Sequence, residues 1–283
     1  MRSAPRRRGV GFLGRLFDRP TAAIAAVVVA LIVLAVLGAP WLAPHGPNEF
    51  DYNDLFGSPT LSHPFGTDEL GRDLLARVMY GGRTTLEIAA LATLLAMTGG
   101  TVWGFVAAYK QRWTDQVLMR VADVTLGMPV ILVGLVLVAA FGSSSTSLVL
   151  ILGLLFMPAT ARLARAALLS ELESDYYLAA ISVGAPPWRI MLFELLPNTM
   201  PVLLARASIV MAEAIFVEAT LSFVGLGVQP PQASWGTLLQ RGYQNLYRSY
   251  WYPVFPGLVI LIAVLALNTL GDNLQRALDP ARR

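Results

Sequence analysis

The sequence predicts an all-α, polytopic membrane protein, and both its composition and its long apolar segments support this fold class. Of its 283 residues, 55% are hydrophobic and only 14% are charged. Soluble proteins carry about 25% charged residues, so much of this chain is expected to face lipid rather than water. The apolar segments lack the alternation with period two that membrane β-barrels show, which favours helices.

Six apolar segments are each long enough to cross a bilayer as a helix. They cover approximately residues 21–38, 84–109, 117–141, 147–164, 201–224 and 253–270. The first extends about 27 Å at 1.5 Å per residue, longer than the apolar core of a signal peptide, so we interpret it as a retained helix. Pro129 and Pro158 are predicted to kink their spans. Gly100 and Gly104 form a pair of small residues that predicts close helix packing.

The placement of arginines predicts the orientation of the spans. Basic residues are concentrated before the first span, around Lys110, in residues 162–189 and after the last span. Because basic residues favour the cytoplasmic side, both termini are predicted to be cytoplasmic. The predicted organisation is a tail (1–20), a first helix with an extracytoplasmic loop (21–83), a five-span core (84–272) that includes a cytoplasmic loop (165–199), and a second tail (273–283).

The cytoplasmic loop is predicted to form two short helices joined by a tight turn. Ser174 or Asp175 can cap the first helix, and Gly184 can adopt the left-handed conformation that ends it. The pair Pro186-Pro187 suits the start of the second helix, where a missing N–H has little effect. Pro197 is expected to end that helix ahead of the fifth span.

The two short helices have the properties of a docking surface for another protein. Ala179 and Ala180 would allow a close approach to the backbone, and four larger apolar side chains could fill pockets in a partner. These are Tyr176, Tyr177, Trp188 and Ile190. An amphipathic connector that lies on the membrane surface is the alternative interpretation.

The chain lacks the residues for several kinds of chemistry. A phosphate-binding loop needs a lysine followed by serine or threonine, but Lys110 is the only lysine and Gln111 follows it. There are no cysteines, and His63 is interpreted as an ordinary loop residue rather than a metal ligand. We therefore predict no catalytic residues, no metal site and no cofactor in this chain, which is not expected to be an enzyme or to bind nucleic acid.

Charged side chains within spans are costly, which makes each of them a candidate for a functional or packing role. Arg120 and Asp123 lie three residues apart and are predicted to pair near the inner end of their span. Glu213 and Glu218 are candidates for lining a solute path, where either could meet a cationic part of a solute. Packing against a polar group of a partner subunit is the alternative for both.

The outer loop is predicted to contain a turn at residues 66–68 that caps a short amphipathic helix over residues 69–80. Arg72 and Asp73 are interpreted as tying this loop together, and contact with the solute is the alternative.

Several residues of the cytoplasmic loop resemble the EAA loop of ABC importer permeases. The resemblance is carried by Ala179, Ala180, Gly184, Ile190, Leu196 and Pro197. In that family the loop forms a coupling helix that lies in a cleft of the ATP-binding subunit. The resemblance implies that these residues, with Tyr177 and Leu178, form an ATPase-coupling loop. Leu178 stands where the family usually has a glutamate, so a polar contact with the ATPase would be absent.

Further motifs lie at residues 63–73, 81–86, 115–129, 218–227, 234–236 and 271–280. They are similar to the dipeptide, oligopeptide and nickel subfamily of these permeases, and in particular to its shorter permease, the DppC/OppC type. The resemblance covers nearly all of residues 20–281 and implies a type I ABC importer permease fold. It also implies a location in a bacterial or archaeal cytoplasmic membrane.

The resemblance implies that the chain works as a non-catalytic subunit within a larger complex. The implied partners are a second permease of the DppB/OppB type, two ATP-binding subunits that hold ATP and magnesium, an extracytoplasmic solute-binding protein, and the lipid bilayer. The solute would be a dipeptide, an oligopeptide, nickel or a related small molecule. An ion-gradient-driven secondary transporter or channel is the alternative function.

Overall fold

The computed structural model describes residues 20–278, and most of this range is helical. In chain order the helices are α1 (Pro20–Leu37), α2 (Ala39–Leu42), α3 (Leu74–Lys110), α4 (Arg112–Leu126), α5 (Val130–Phe141), α6 (Ser145–Leu172), α7 (Asp175–Ser182), α8 (Pro187–Arg189), α9 (Leu196–Leu221), α10 (Trp235–Gln244) and α11 (Trp251–Leu278). Two π-helical segments, Ile190–Leu195 and Ser222–Leu226, adjoin the ends of α9. The predicted tail 1–20, apart from Pro20, and residues 279–283 of the second tail lie outside the described residues.

Five helices are long and apolar enough to cross a membrane on their own: α1, α3, α6, the continuous helix Pro187–Leu226, and α11. A sixth crossing results if α4 and α5 are counted as one broken span. The all-α fold class is confirmed, and each predicted span corresponds to one of these elements. The helices are longer than the apolar segments, because α3 begins at Leu74 rather than near residue 84 and α6 continues to Leu172.

The third predicted span is sharply broken. Helices α4 and α5 meet at 90°, and residues 127–129 separate them. Pro129 precedes α5 with extended backbone angles, φ −61° and ψ 116°. A proline ring disfavours a helical conformation in the residue before it, so α4 cannot continue through this position. The predicted kink at Pro129 is confirmed as a full bend, whereas Pro158 lies inside α6, which continues through it.

Helices α3 and α6 form the most extensive helix pair of the described chain. A Cβ atom added to Gly100 would lie 2.8 Å from the carbonyl oxygen of Met157, and one added to Gly104 would lie 2.3 Å from that of Ala161. Both distances are shorter than van der Waals contact, so the two backbones approach as closely as they do only because these residues lack side chains. The predicted role of the glycine pair in helix packing is confirmed.

Two ion pairs join α4 to α6. Arg165 binds Asp115 through two contacts, with Nε–Oδ1 and Nη2–Oδ2 distances of 2.5 Å. Arg162 pairs with Asp123. The predicted pairing of Arg120 with Asp123 is therefore wrong, because the neighbouring helix supplies a better-placed cation.

The outer loop is held to the helices by a network of charges. The Nε atom of Arg72 lies 2.7 Å from Oδ2 of Asp68, and Nε of Arg77 lies 3.3 Å from the same oxygen. Glu69 accepts hydrogen bonds from Arg241 at 2.7 Å and from the hydroxyl of Tyr252 at 2.5 Å. The network thus joins the loop to α3, α10 and α11.

The start of α3 differs from the prediction. Asp73, not Asp68, caps the helix and accepts a hydrogen bond from the backbone N of Ala76 at 2.9 Å. The short amphipathic helix predicted over residues 69–80 is wrong, since residues from Leu74 onward belong to the long membrane helix. The interpretation of Arg72 and Asp73 as residues that tie the loop together is confirmed.

Outside the membrane-spanning helices, Glu69 is the member of this network whose pKa the structure shifts. Burial raises the pKa of Glu69, but the hydrogen bonds from Tyr252 and Arg241 and the charge of Arg241 lower it, and the net effect is a pKa below its ordinary value. The network therefore favours the ionised carboxylate.

We expect Glu69→Gln to lower thermal stability at neutral pH, with the difference from the unaltered protein shrinking in acid. A carboxyl whose folded pKa is depressed contributes stability above its unfolded pKa, near 4.5 here, and loses it as the pH falls through the folded value. Thermal unfolding in detergent from about pH 3.5 to about pH 7 measures this difference. Glu49→Gln, an exposed carboxylate of the same loop, is the control. A difference that grows towards acid pH would contradict the expectation.

We expect Gly104→Ala to destabilise the protein by about 1–3 kcal/mol, because the added methyl group would meet the rigid backbone of α6. Gly99→Ala is the matched control, since its methyl group would meet Cε of Met157, the movable end of a flexible side chain, at 2.4 Å. Denaturation midpoints of both variants in the same detergent provide the comparison. An equal loss of stability in the two variants would show that the close contact with the α6 backbone does not determine the cost of the added methyl group.

Candidate functional site

Residues 173–195, which we call the elbow, connect α6 to α9 and form the candidate docking site. Helix α7 contains no buried residue among those described. The hydroxyl of Tyr176 donates to Oε2 of Glu171 at 2.5 Å, which fastens α7 to the end of α6. Ser174 occupies the predicted cap position, but its hydroxyl donates to the carbonyl oxygen of Glu171 at 2.6 Å instead of accepting a bond from α7.

The turn after α7 has the conformation that its glycine predicts. Gly184 has φ +74°, in the left-handed region. Its backbone N donates to the carbonyl oxygen of Ile181 at 2.9 Å, and the N of Ala185 donates to that of Ala180 at 3.2 Å. These two bonds define a Schellman motif, which satisfies the last carbonyl groups of the helix. The predicted cap by Gly184 is confirmed.

The second half of the elbow is continuous with the fifth span. Pro187 opens α8, as predicted, and the chain stays helical from there to Val224, where Gly225 leaves the helical conformation with φ +95°. The expectation that Pro197 would end this helix is wrong. The π-helical segment Ile190–Leu195 precedes it, and the wider π turn accommodates a residue that has no N–H and would crowd an α-helical turn.

One face of the elbow packs against the chain itself. Ile190 is only 4% exposed and lies in a buried apolar cluster with Phe105 of α3 and Leu168 of α6. Partly buried side chains of the coupling-loop prediction pack on the same cluster. They are Tyr177, Ala180 and Leu196, joined by Tyr176. Ile190 therefore packs within the chain instead of projecting towards a partner, whereas Tyr176 and Tyr177 pack on the same cluster and stay partly exposed.

The opposite face of the elbow is exposed and mainly apolar. Val183 is 83% exposed, Phe193 65%, Trp188 61% and Leu178 56%. Ala179, Gly184 and Pro197, which also belong to the predicted coupling loop, are exposed as well. Side chains of this kind rarely face water without a reason. Leu178, which replaces the glutamate expected from the resemblance, lies on this outward face.

Glu213 lines a cavity beside the bend between α4 and α5. The cavity has a volume of ≈ 490 Å³, and its lining is apolar apart from a few groups, among them Glu213, Arg206 and Thr125. Arg206 forms two contacts with the carboxylate of Glu213, at 3.1 Å and 3.4 Å. Glu213 therefore remains a candidate for a solute path, with its charge compensated by an arginine on the same helix.

Glu218 lies in a different environment and is fully buried. Its carboxylate accepts a hydrogen bond from Ser222 at 2.7 Å and a weaker one from Thr85 at 3.5 Å. Thr85 in turn accepts a bond from the backbone N of Trp235 at 3.0 Å. Glu218 thus joins α9 to α3 and α10, and this enclosed position does not support its predicted place on a solute path.

Sequence reasoning missed three features of these sites. Arg206 was not linked to Glu213, although a spacing of seven residues is two helical turns and places both on one face. Val183 and Phe193 were not recognised as part of the outward face. Large apolar side chains in a segment predicted to lie outside the membrane are the signal that could have identified them.

We expect Gly184→Ala to loosen the turn of the elbow and Gly184→Asn to preserve it. Apart from the neighbouring residues 183 and 185, no residue in the described part of the chain has an atom within 4 Å of a Cβ added here. The penalty therefore comes from the left-handed backbone, about 1–2 kcal/mol for alanine and less for asparagine. Hydrogen exchange of peptides covering residues 175–186 measures the loosening. Equal exchange in both variants would mean that the Schellman turn does not order the elbow.

Comparisons with known proteins place the chain in a family. Residues 100–283 match the family described as binding-protein-dependent transport system inner membrane component, and residues 10–62 match the N-terminal transmembrane domain of oligopeptide transport permease C. In its fold, the chain is similar to the inward-facing MetNI methionine ABC transporter, with a TM-score of 0.59 and 20% identity over 72% of this chain and 96% of that one.

Relatives match over most of their length. The di/tripeptide transport system permease protein DppC of Pseudomonas aeruginosa is 38% identical, over 88% of this chain and 84% of that protein. A Brucella suis protein named as a peptide transport system permease is 40% identical, over 94% and 90%. DdpC of Escherichia coli, named for D,D-dipeptide transport, is 33% identical, over 96% and 91%. The chain therefore belongs to the binding-protein-dependent inner membrane components and has the type I ABC importer permease fold.

Proposed function

We propose that this chain forms one half of the translocation pore of an ATP-driven peptide importer and that the elbow docks on an ATPase subunit. The observation that carries the proposal is the division of the elbow into two faces. The inward face is anchored to α3 and α6, while the outward face exposes Leu178, Val183 and Trp188. An anchored segment with exposed apolar side chains is suited to dock on another protein.

Continuity between the elbow and the fifth span supplies the mechanical part of the proposal. A push on Trp188 or Phe193 acts on the first turns of a helix that continues to Val224. That helix carries Arg206 and Glu213 into the cavity. Closure of two ATPase subunits on ATP would therefore move the cavity lining directly, without a flexible joint between the motor and the pore.

The remaining parts of the complex follow from the same proposal. The chain would pair with a second permease and receive solute from an extracytoplasmic binding protein, and the ATPase subunits would hold ATP and magnesium. The elbow and both termini would be cytoplasmic, and the loop between α2 and α3 would face outward. Membership of a binding-protein-dependent family does not favour the alternative of an ion-gradient-driven secondary transporter or channel.

The proposed solute class is short peptides. Relatives from Pseudomonas and Escherichia are named for di/tripeptides and D,D-dipeptides. Arg206 and Glu213 present both charges at one cavity. A peptide carries a terminal ammonium and a terminal carboxylate, so each end could exchange with one member of this pair. Nickel and other solutes without an anionic end lack that complementarity.

The absence of cysteine from the chain allows a direct test of docking. Val183→Cys, labelled with a photoactivatable maleimide in the assembled complex, should capture an ATPase subunit. Tyr247→Cys, which replaces a side chain that is 97% exposed between α10 and α11, should label equally and capture none. Failure of Val183→Cys to capture an ATPase, or capture from both positions, would overturn the proposed docking and orientation.

The same variants report on transport. In vesicles that contain the whole complex, a bulky maleimide at Val183→Cys should reduce ATP-dependent uptake of a labelled dipeptide at least tenfold, and at Tyr247→Cys it should have little effect. The unlabelled proteins provide the reference rates. Uptake of dipeptide by the unaltered chain alone, without ATPase subunits, would support the gradient-driven alternative instead.

A further inference from the structure

The two histidines of the chain, His45 and His63, are brought together in the outer loop. Their rings stack with centroids 4.6 Å apart and an interplanar angle of 27°. They lie eighteen positions apart in sequence, so the fold of the loop places them side by side. His63, interpreted from sequence as an isolated loop residue, has a second imidazole as its neighbour.

A buried carboxylate completes the cluster. Nδ1 of His63 lies 3.2 Å from Oδ1 of Asp73, and one ligand atom from each of His45, His63 and Asp73 lies within 4.8 Å of the others. The second oxygen of Asp73 accepts a hydrogen bond from the backbone N of Ala76. That bond orients the carboxylate so that Oδ1 faces the imidazoles, as outer hydrogen bonds do in metal sites.

One atom of the cluster has no hydrogen-bond partner. Nδ1 of His45 is buried and unpaired in the described chain. Buried polar atoms are nearly always satisfied, and an exception calls for an explanation such as an ion. Stacking of the rings and the bond between His63 and Asp73 explain the packing of the cluster, but they leave this nitrogen unexplained.

We propose that His45, His63 and Asp73 bind one divalent transition-metal ion, with Zn²⁺ as the preferred ion. Two imidazoles and one carboxylate match the ligand preferences of zinc, and a water molecule would occupy the fourth position. Ligand atoms around tetrahedral zinc lie about 3.3 Å apart. The spacing between His63 and Asp73 already suits this geometry, and a rotation of the His45 ring would close the rest.

The metal would act as a clip on the outer loop. It would join the chain just after α2, the middle of the loop and the first residue before α3, and so fix the end of the first span to the start of the second. Fixing loop ends in this way stabilises a fold by reducing the freedom of the unfolded chain. The ion belongs to the structure of the loop and is not the transported solute. The site does not depend on the proposed function.

The test uses full-length protein without a polyhistidine tag, in detergent, stripped with a chelator and dialysed against ZnCl₂ or MgCl₂. We expect about one zinc per chain and a rise in melting temperature of roughly 5 °C with zinc but not with magnesium. His45→Phe keeps an aromatic ring that can stack on His63 and removes both ring nitrogens of His45. The metal-free protein should therefore melt as before. It should bind at most one-tenth as much zinc.

Two further variants make the result decisive. Asp73→Asn can still cap α3 and should weaken zinc binding at least tenfold through the loss of the anionic ligand. Glu49→Gln, in the same loop and outside the cluster, should bind zinc as the unaltered protein does. The proposal would be overturned if the unaltered protein bound no zinc, or if His45→Phe still bound about one zinc per chain.

Discussion

Close backbone contact between α3 and α6 is the constraint on which the rest of the structure depends. Gly100 and Gly104 remove the side chains that would separate these helices. Their C-terminal ends then form the base on which Ile190 and the rest of the inward face pack. Helix α6 also carries the two arginines whose ion pairs position α4. The position of the elbow therefore depends on two glycines of α3, which lie far from the elbow in sequence.

The elbow combines a rigid attachment with an unpartnered surface. Apolar side chains on its inward side are satisfied within the chain, while those on its outward side are not. A π-helical segment rather than a loop connects it to α9. This arrangement explains how Pro197 can lie near the junction without interrupting the helix. The elbow is therefore rigidly connected to α9 and not attached to it by a flexible linker.

Much of the architecture could be predicted from sequence, because lipid imposes a strong requirement for long apolar helices. The spans, the bend at Pro129 and the cap at Gly184 all follow from local chemistry. The sequence did not predict which side chains of the elbow pack on the chain and which stay exposed. Tyr177 and Ile190 have the same hydrophobicity whether they pack on α3 or on a partner. The ion pair between Asp123 and Arg162 was not predicted either. Its two residues lie on different helices, and a single sequence does not show which helices pack together.

The right-angled break in the third span has a geometric consequence for the bilayer. Helices of 15 and 12 residues are about 22 and 18 Å long, and neither alone crosses a hydrocarbon layer of about 30 Å. The peptide groups at the corner cannot face lipid without partners, because hydrocarbon offers no hydrogen bonds. That side of the molecule must therefore adjoin protein or a water-filled space, and the cavity that Glu213 lines is such a space beside the bend.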